Sequence, residues 1–133
     1  MSDGRPVPVN PPSLCRPRGY SHGMKGRGDI LFVAGQIGWN REGRMVSDDL
    51  VVQFGQALDN VLDVVWAAGG APHSVARLVV YVTDKADYRR RQRPIGEAYR
   101  KRMGKHFPAM ALVEVKSLLE DDAKVEIEAT ALV

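Results

Sequence analysis

The sequence predicts an α+β fold in which two helices pack on one face of a mixed β-sheet. Three observations support this: two stretches with apolar residues at helical spacing, several short runs rich in branched residues, and glycine or proline signals between them. The predicted order is β-β-α-β-α-β-β. Because the helices cover only one sheet face, a chain of 133 residues is expected to cover the other face by forming an oligomer.

The first helix is predicted over residues 47–68. Its apolar side chains recur every three or four residues and form one stripe: Leu50, Phe54, Leu58, Val61, Leu62 and Val65. Ser47 or Asp48 can cap the N-terminus, and Gly69 suits the C-terminal end. This helix should therefore supply one side of the core.

The second helix is predicted over residues 88–103, with Gly104 ending it. Pro94 lies inside this range, where a proline removes a backbone hydrogen bond. Either the regular helix begins near Arg93 with Pro94 in its first turn, or the helix is kinked.

Strands are predicted at residues 20–25, 30–36, 75–83, 109–115 and 124–132. The nearly continuous apolar run at 30–36 predicts a strand buried on both faces. Gly35 and Gly38 mark places where the backbone must come close to another group.

The last strand alternates between apolar and acidic residues. Glu126 and Glu128 share one face, opposite Val125, Ile127 and Ala129. By periodicity alone, a solvated acidic face is the favoured interpretation. If a subunit interface buries that face, a glutamate there could act as a general acid or base.

Composition and charge narrow the class of protein. With 44% hydrophobic and 26% charged residues, the chain fits a single soluble domain over 1–133, with residues 1–19 as an extended, proline-rich N-terminal arm. No apolar run reaches the ~20 residues of a membrane span, and the first residues lack a secretory signal, so a cytoplasmic location is expected. The single Cys15 excludes an intrachain disulfide, and the histidine spacing gives no metal site.

The net charge is +3, with basic residues concentrated on the second predicted helix. A solvated helix face explains this cluster, because no aromatic residues alternate with it as they do in base-stacking surfaces. Nucleic acid is therefore not an expected partner. Composition and spacing alone reach no further than an oligomeric α+β domain.

Several motifs, taken in order, resemble those of the Rid family, the YjgF-type enamine/imine deaminases. They are GYS at 19–21, FVAGQI at 32–37, QALDNV at 56–61, VVYVTD at 79–84, FPA at 107–109, VEV at 113–115 and VEIEA at 125–129. The resemblance implies a chorismate-mutase-like homotrimer, with the sheets inside, the helices outside and the ligand clefts between subunits. It also implies hydrolysis of a small-molecule enamine or imine to a keto compound and ammonia, without a metal or organic cofactor.

The resemblance assigns roles to six residues. Glu126 matches the catalytic glutamate, and the substrate-binding positions are Tyr20, Gly35, Gln92, Met110 and Leu112. Met110 stands where the deaminases usually carry an arginine that binds the substrate carboxylate through two hydrogen bonds. A basic residue of another subunit, from Arg16–Arg18, could replace that arginine.

Three functions follow from the resemblance. The first is an enamine/imine deaminase with an altered substrate range, acting on a larger and more apolar compound that suits Met110, Leu112 and Trp39. The second is a non-catalytic trimer that binds a small metabolite or a partner protein in the same clefts. The third, endoribonuclease activity, has only the basic helix in its favour.

Overall fold

Six strands and three helices make up residues 5–133, the part of the chain that the computed structural model describes. In chain order they are β1 (Val7–Val9), β2 (Gly23–Lys25), β3 (Ile30–Ile37), α1 (Leu50–Ala67), β4 (Val75–Val82), α2 (Lys85–Arg90), α3 (Gln92–Met103), β5 (Ala109–Glu114) and β6 (Val125–Leu132), with a 3₁₀ turn at Pro72–Ser74. The predicted arm begins at residue 1, and its first four residues lie outside the described part.

The main sheet has the strand order β3-β6-β4-β5. β6 runs antiparallel to both β3 and β4, whereas β4 and β5 are parallel, so the sheet is mixed. Helices α1 and α3 cover one face and bury the core against it. The predicted α+β class is thus confirmed. Strand β1, which lies in the arm, pairs with β2 of the same chain.

Asp49 caps helix α1. Its carboxylate accepts hydrogen bonds from the backbone N–H groups of Val51 and Val52, at 3.1 and 3.2 Å. The prediction that Ser47 or Asp48 caps this helix is wrong. Ser47 instead accepts the N–H of Asp49 through its hydroxyl at 3.0 Å, which orients the capping residue.

The second predicted helix is interrupted. α2 ends at Arg90, and α3 begins at Gln92, with Arg91 between them at φ −107° and ψ 16°. Pro94 is the third residue of α3, where its missing N–H would have no intrahelical partner. A first-turn proline is therefore confirmed, and one continuous helix over 88–103 is wrong.

Strand β3 is buried on one face only. Val33 is packed in the core, but Ile30 is 61% exposed and Phe32 is 77% exposed. The expectation of burial on both faces is wrong for a single chain, because the helices lie on one side of the sheet. The other side presents apolar side chains to solvent.

Gly38 allows α1 to approach the end of β3. A Cβ built at Gly38 would lie 2.7 Å from the Cα of Gln53. Gln53 is fully buried, and its amide donates to the carbonyls of Ser47 and Asp122 at 2.9 Å and accepts the N–H of Lys124 at 2.8 Å. This glutamine fixes the acidic loop before β6, and so fixes where β6 begins.

Candidate functional site

A cavity of about 430 Å³ lies between the sheet and α3, beneath the end of the N-terminal arm. Its size is within the range of small-molecule sites. Four predicted binding residues are among its lining residues: Tyr20, Gln92, Met110 and Leu112. Apolar and aromatic side chains form most of the remaining wall, including Leu78, Val80, Ile95, Tyr99, Phe107 and Ile127.

The arm reaches the cavity because its end is anchored on the start of β5. The N–H of Ser21 donates to the carbonyl of Pro108 at 3.0 Å, and its hydroxyl donates to the carbonyl of Phe107 at 2.6 Å. Gly19 has φ +74°, a conformation that favours glycine. The turn at Gly19 leaves both Arg18 and Tyr20 on the cavity.

Met110 and Leu112 reach the cavity from the edge strand β5. They pair in parallel with Leu78 and Val80, which are buried on the helix-facing side of β4. Residues opposite each other in a sheet point to the same face, so Met110 and Leu112 also point toward the helices. Their half-buried side chains form an uncharged wall.

The tyrosines around the cavity are held in their neutral form. Burial raises the pKa of both Tyr88 and Tyr99. Tyr99 stacks on Phe107 with ring centroids 5.5 Å apart and donates to the carbonyl of His106 at 2.6 Å. Desolvation also raises the pKa of Tyr20, and the neighbouring Cys15 acts in the same direction. A tyrosine is already neutral near pH 7, because its ordinary pKa is about 10, and these shifts widen the range in which each hydroxyl is a donor.

Gly35 and Glu126 lie on the opposite face of the sheet. A Cβ at Gly35 would lie 2.7 Å from Oε2 of Glu126, so a side chain there would displace the carboxylate from its present position. On β6, Glu126 is paired with Ile37 of β3 and Tyr81 of β4. The neighbouring Ile127 points the other way and lines the cavity. The predicted alternation of β6 is confirmed by its burial pattern.

Glu128, two residues further along the same face, has a different role from Glu126. Tyr81 donates a short hydrogen bond to Glu128. That bond, together with desolvation and the charge of Glu126, raises the pKa of Tyr81. Within residues 5–133, no hydrogen bond or ion pair engages the carboxylate of Glu126. Glu126 is thus available to a ligand or to another subunit.

The six predicted site residues therefore form two groups, separated by the sheet. The cavity brings together Tyr20, Gln92, Met110 and Leu112. Gly35 lies beside Glu126 on the sheet face that no helix covers, called the bare face below. Within one chain the two groups do not meet. The sequence did not indicate this, because it does not reveal that β6 inserts between β3 and β4.

Two further expectations concern single residues. Trp39 is not a wall of this cavity, and lies instead in a separate surface hollow beside Asn40 and Arg41. Arg18 does reach the cavity, but from the same chain as Met110. Arg100 also lines it and was missed, although Gln92, Gly96 and Arg100 recur at four-residue spacing on one face of α3.

Across residues 5–133, no three His, Cys, Asp or Glu side chains are grouped as metal ligands would be. None of the helices in the same range combines the length and the apolar character that crossing a bilayer requires.

Fold and cavity define a class: a small α+β domain with one bare sheet face and a cavity of metabolite size. The sequence profile of the endoribonuclease L-PSP family matches residues 14–133, and the chain belongs to that family.

Named relatives are similar over most of the chain. A RutC family protein of Pyrococcus horikoshii is 34% identical over 132 residues, covering 98% of this chain and 94% of that protein. The 2-iminobutanoate/2-iminopropanoate deaminase of Escherichia coli K12 is 35% identical over 108 residues, covering 79% and 80%. The crystal structure of YyfB from Yersinia pestis, described as a Rid family protein of unknown function, superposes with a TM-score of 0.85 at 31% identity, covering 97% and 99%.

Proposed function

We propose that this chain is an enamine/imine deaminase of the Rid type, whose site is completed between the subunits of a homotrimer. In this proposal residues 1–133 form one domain, and each site combines the cavity of one subunit with Gly35 and Glu126 of the next. The observation that carries the proposal is the division of the candidate residues between two sheet faces. The similarity to the Escherichia coli deaminase supports the reaction class.

The bare sheet face supports assembly. Phe32 and Ile30 are exposed on the strand that carries Gly35, and a soluble protein seldom leaves such side chains in water unless they meet a partner. Placing this face against another subunit would bury the apolar residues and bring Glu126 to a neighbouring cavity. The same subunit contact would then both bury these apolar side chains and complete the site.

The reaction needs a water molecule and one group that transfers protons. The Glu126 carboxylate would accept a proton from water as the water oxygen bonds to the imine carbon, and the C=N π electrons would move to nitrogen, which takes up a proton. Glu126 then carries the hydroxyl proton to the amino nitrogen, the C–N bond breaks with its electrons going to nitrogen, and ammonia leaves as the keto group forms. Tyr20, a neutral donor, would orient the substrate.

Met110 sets the proposed substrate range. A thioether offers no charge and only a weak acceptor, so it cannot replace an arginine that binds a carboxylate with two hydrogen bonds. The surrounding wall is apolar. Substrates with a longer apolar body are therefore expected to be preferred over 2-aminoacrylate.

The experiment generates imines directly and follows keto-acid release. An L-amino-acid oxidase acting on phenylalanine supplies a 2-imino acid with a large apolar side chain, and semicarbazide traps the imine that escapes hydrolysis. Glu126→Gln should lower the catalysed rate by at least about a hundredfold, the usual range for an acid–base group. The matched control, Glu128→Gln, should retain most activity, because that carboxylate is engaged by Tyr81. Equal rates for Glu126→Gln and wild type would contradict the role of Glu126.

The second candidate is a non-catalytic trimer that binds a metabolite or partner protein in the same clefts. The uncharged wall at Met110 favours it, because binding an apolar compound needs no catalytic anchor. Stoichiometric binding without turnover on any imine would select this function.

The charge distribution of the described residues does not favour RNA cleavage over the deaminase or the non-catalytic binding protein. Three cations of the basic segment are already paired within the described chain: Arg90 with Asp87, Arg91 with Asp49 and Arg102 with Asp59.

A further inference from the structure

Two arginines from different parts of the chain line the cavity. Arg18 comes from the arm and Arg100 from α3, and among residues 5–133 no aspartate or glutamate lines the cavity. Within residues 5–133, neither guanidinium has an ion-pair or hydrogen-bond partner. The cavity therefore carries two positive charges that the described chain leaves uncompensated.

The position of Arg100 is set by the glycine one turn before it. A Cβ built at Gly96 would lie 3.1 Å from Nη1 of Arg100, so the guanidinium lies back over Gly96. Both residues line the cavity. Because Gly96 has no side chain, the guanidinium of Arg100 can lie close to the backbone of α3 beside the cavity.

The rest of the wall has the opposite character. Met110, Leu112, Leu78, Val80, Ile95 and Phe107 enclose the cavity with apolar surface. A ligand that satisfies both regions must carry an anionic group for the arginines and an apolar body for the wall. A small anion would leave the apolar wall unfilled, and a neutral apolar compound would leave the arginines unpaired.

We propose that Arg18 and Arg100 form an anion-binding rim that selects a carboxylate carried on an apolar body. This deepens the proposed function, because it names the substrate class of the same cavity, and it rests on that proposal. The carboxylate is then held at the cavity rim, at a distance from Met110, and the apolar body fills the space beside Met110. Selection by the rim needs no charge on β5.

The test is a binding measurement that needs no turnover. Calorimetric titration with phenylacetate, phenylacetamide and acetate separates the anionic group from the apolar body. Phenylacetate should bind more tightly than each of the other two, by about tenfold over the amide if each rim arginine contributes about threefold, as for partly exposed ion pairs. Raising the salt concentration should reduce that preference.

Variants of the two arginines test whether the preference for phenylacetate over the amide comes from the rim. Arg18→Gln and Arg100→Gln should each reduce the preference for phenylacetate over the amide by about threefold, and the double variant should abolish it. Arg18→Lys and Arg100→Lys keep the charge and should retain most of it. The matched control is Arg93→Gln on α3, an exposed arginine outside the cavity lining, which should change nothing.

A local probe places the ligand. With isotope-labelled methionine methyl groups, phenylacetate should shift the Met110 resonance, which Met110→Leu identifies, and acetate should not. Equal binding of phenylacetate and phenylacetamide, an unchanged preference in the double variant, or an unmoved Met110 signal would each overturn the rim.

The outcome is separable from that of the proposed reaction. Glu126→Gln should retain the carboxylate preference while losing turnover. Turnover that depends on Glu126 in a protein without a carboxylate preference would overturn only the rim. A carboxylate preference without turnover on any imine would overturn only the deaminase.

Discussion

At the scale of single residues, Gly35 and Glu126 depend on one another. The carboxylate of Glu126 occupies the space that any side chain at position 35 would need, with 2.7 Å between a built Cβ and Oε2. The family resemblance gives Gly35 a backbone role in a pocket, and the structure adds a steric reason for a glycine there. A carboxylate held beside a bare backbone, without a hydrogen-bond or ion-pair partner among residues 5–133, is suited to act on a bound molecule.

Met110 is the residue where activity is most readily changed. Met110→Arg should raise kcat/KM for 2-aminoacrylate by at least about tenfold, because a guanidinium can bind the carboxylate with two hydrogen bonds. A pyridoxal-phosphate-dependent dehydratase supplies this substrate, and keto-acid release is followed. Met110→Gln, similar in length but uncharged, is the matched control and should give no such gain. A tenfold gain with glutamine as well would show that a positive charge on β5 is not what binding of 2-aminoacrylate requires.

At the scale of elements, side-chain contacts fix where the helices begin and how their ends are joined. Desolvation alone would raise the pKa of Asp49, but hydrogen bonds from the N–H groups of Val52 and Val51 and from Arg91 outweigh it and lower the pKa. The ion pair between Arg91 and Asp49, at 3.0 Å, also joins the start of α1 to the junction between α2 and α3. One carboxylate thus fixes two helix ends.

Asp49→Ala should destabilise the fold by about 1 kcal/mol at neutral pH, as the loss of an N-cap usually does. Because the folded pKa is lowered, this stabilisation is present at neutral pH and is lost as the pH falls below the ordinary carboxyl value of 3.8. Urea denaturation at several pH values measures the difference. Asp48→Ala, an exposed neighbour, should have little effect. If Asp48→Ala lowered the free energy of unfolding as much as Asp49→Ala, the assignment of Asp49 as the cap would be wrong.

Element types were predictable from periodicity, but the relations between elements were not. The alternation in β6 and the apolar stripe of α1 are local patterns, so each was readable from the sequence. Pro94 predicted a helix start near Arg93, one residue from the observed start of α3, but no local signal predicted the separate short helix α2 before it. Strand order is set by pairing over long separations, and only that order shows that Glu126 and Met110 face opposite sides of the sheet.

At the scale of the whole molecule, one sheet face is covered by helices and the other is bare. The covered face holds the core and the cavity, whereas the bare face holds Phe32, Ile30 and the Gly35–Glu126 pair. Burying a large apolar side chain contributes roughly 1.5–3 kcal/mol, and a closed trimer repeats each such contact three times. Assembly through this face therefore has a clear driving force.

Phe32→Asp should dissociate the proposed trimer. Phe32 is 77% exposed in one chain, so the change should spare the monomer's own core while placing a charge in the interface. Sedimentation equilibrium should give three times 14.7 kDa for the wild type and the single-chain mass for the variant. Leu119→Asp, at a loop residue 94% exposed, is the matched control and should remain trimeric. A wild-type protein that sediments at 14.7 kDa would contradict the assembly.

Complementation between two inactive variants tests the account most directly. Glu126→Gln removes the acid–base group from the bare face, and Gly96→Trp fills the cavity on the other side of the sheet, where a new side chain first meets only the flexible end of Arg100. Each variant alone should be inactive toward imines. Co-expressed in equal amounts, they should recover about a quarter of wild-type activity, the share of interfaces that pair an intact cavity with an intact glutamate in a random mixture. Mixed trimers no more active than either variant alone would contradict a site shared between subunits.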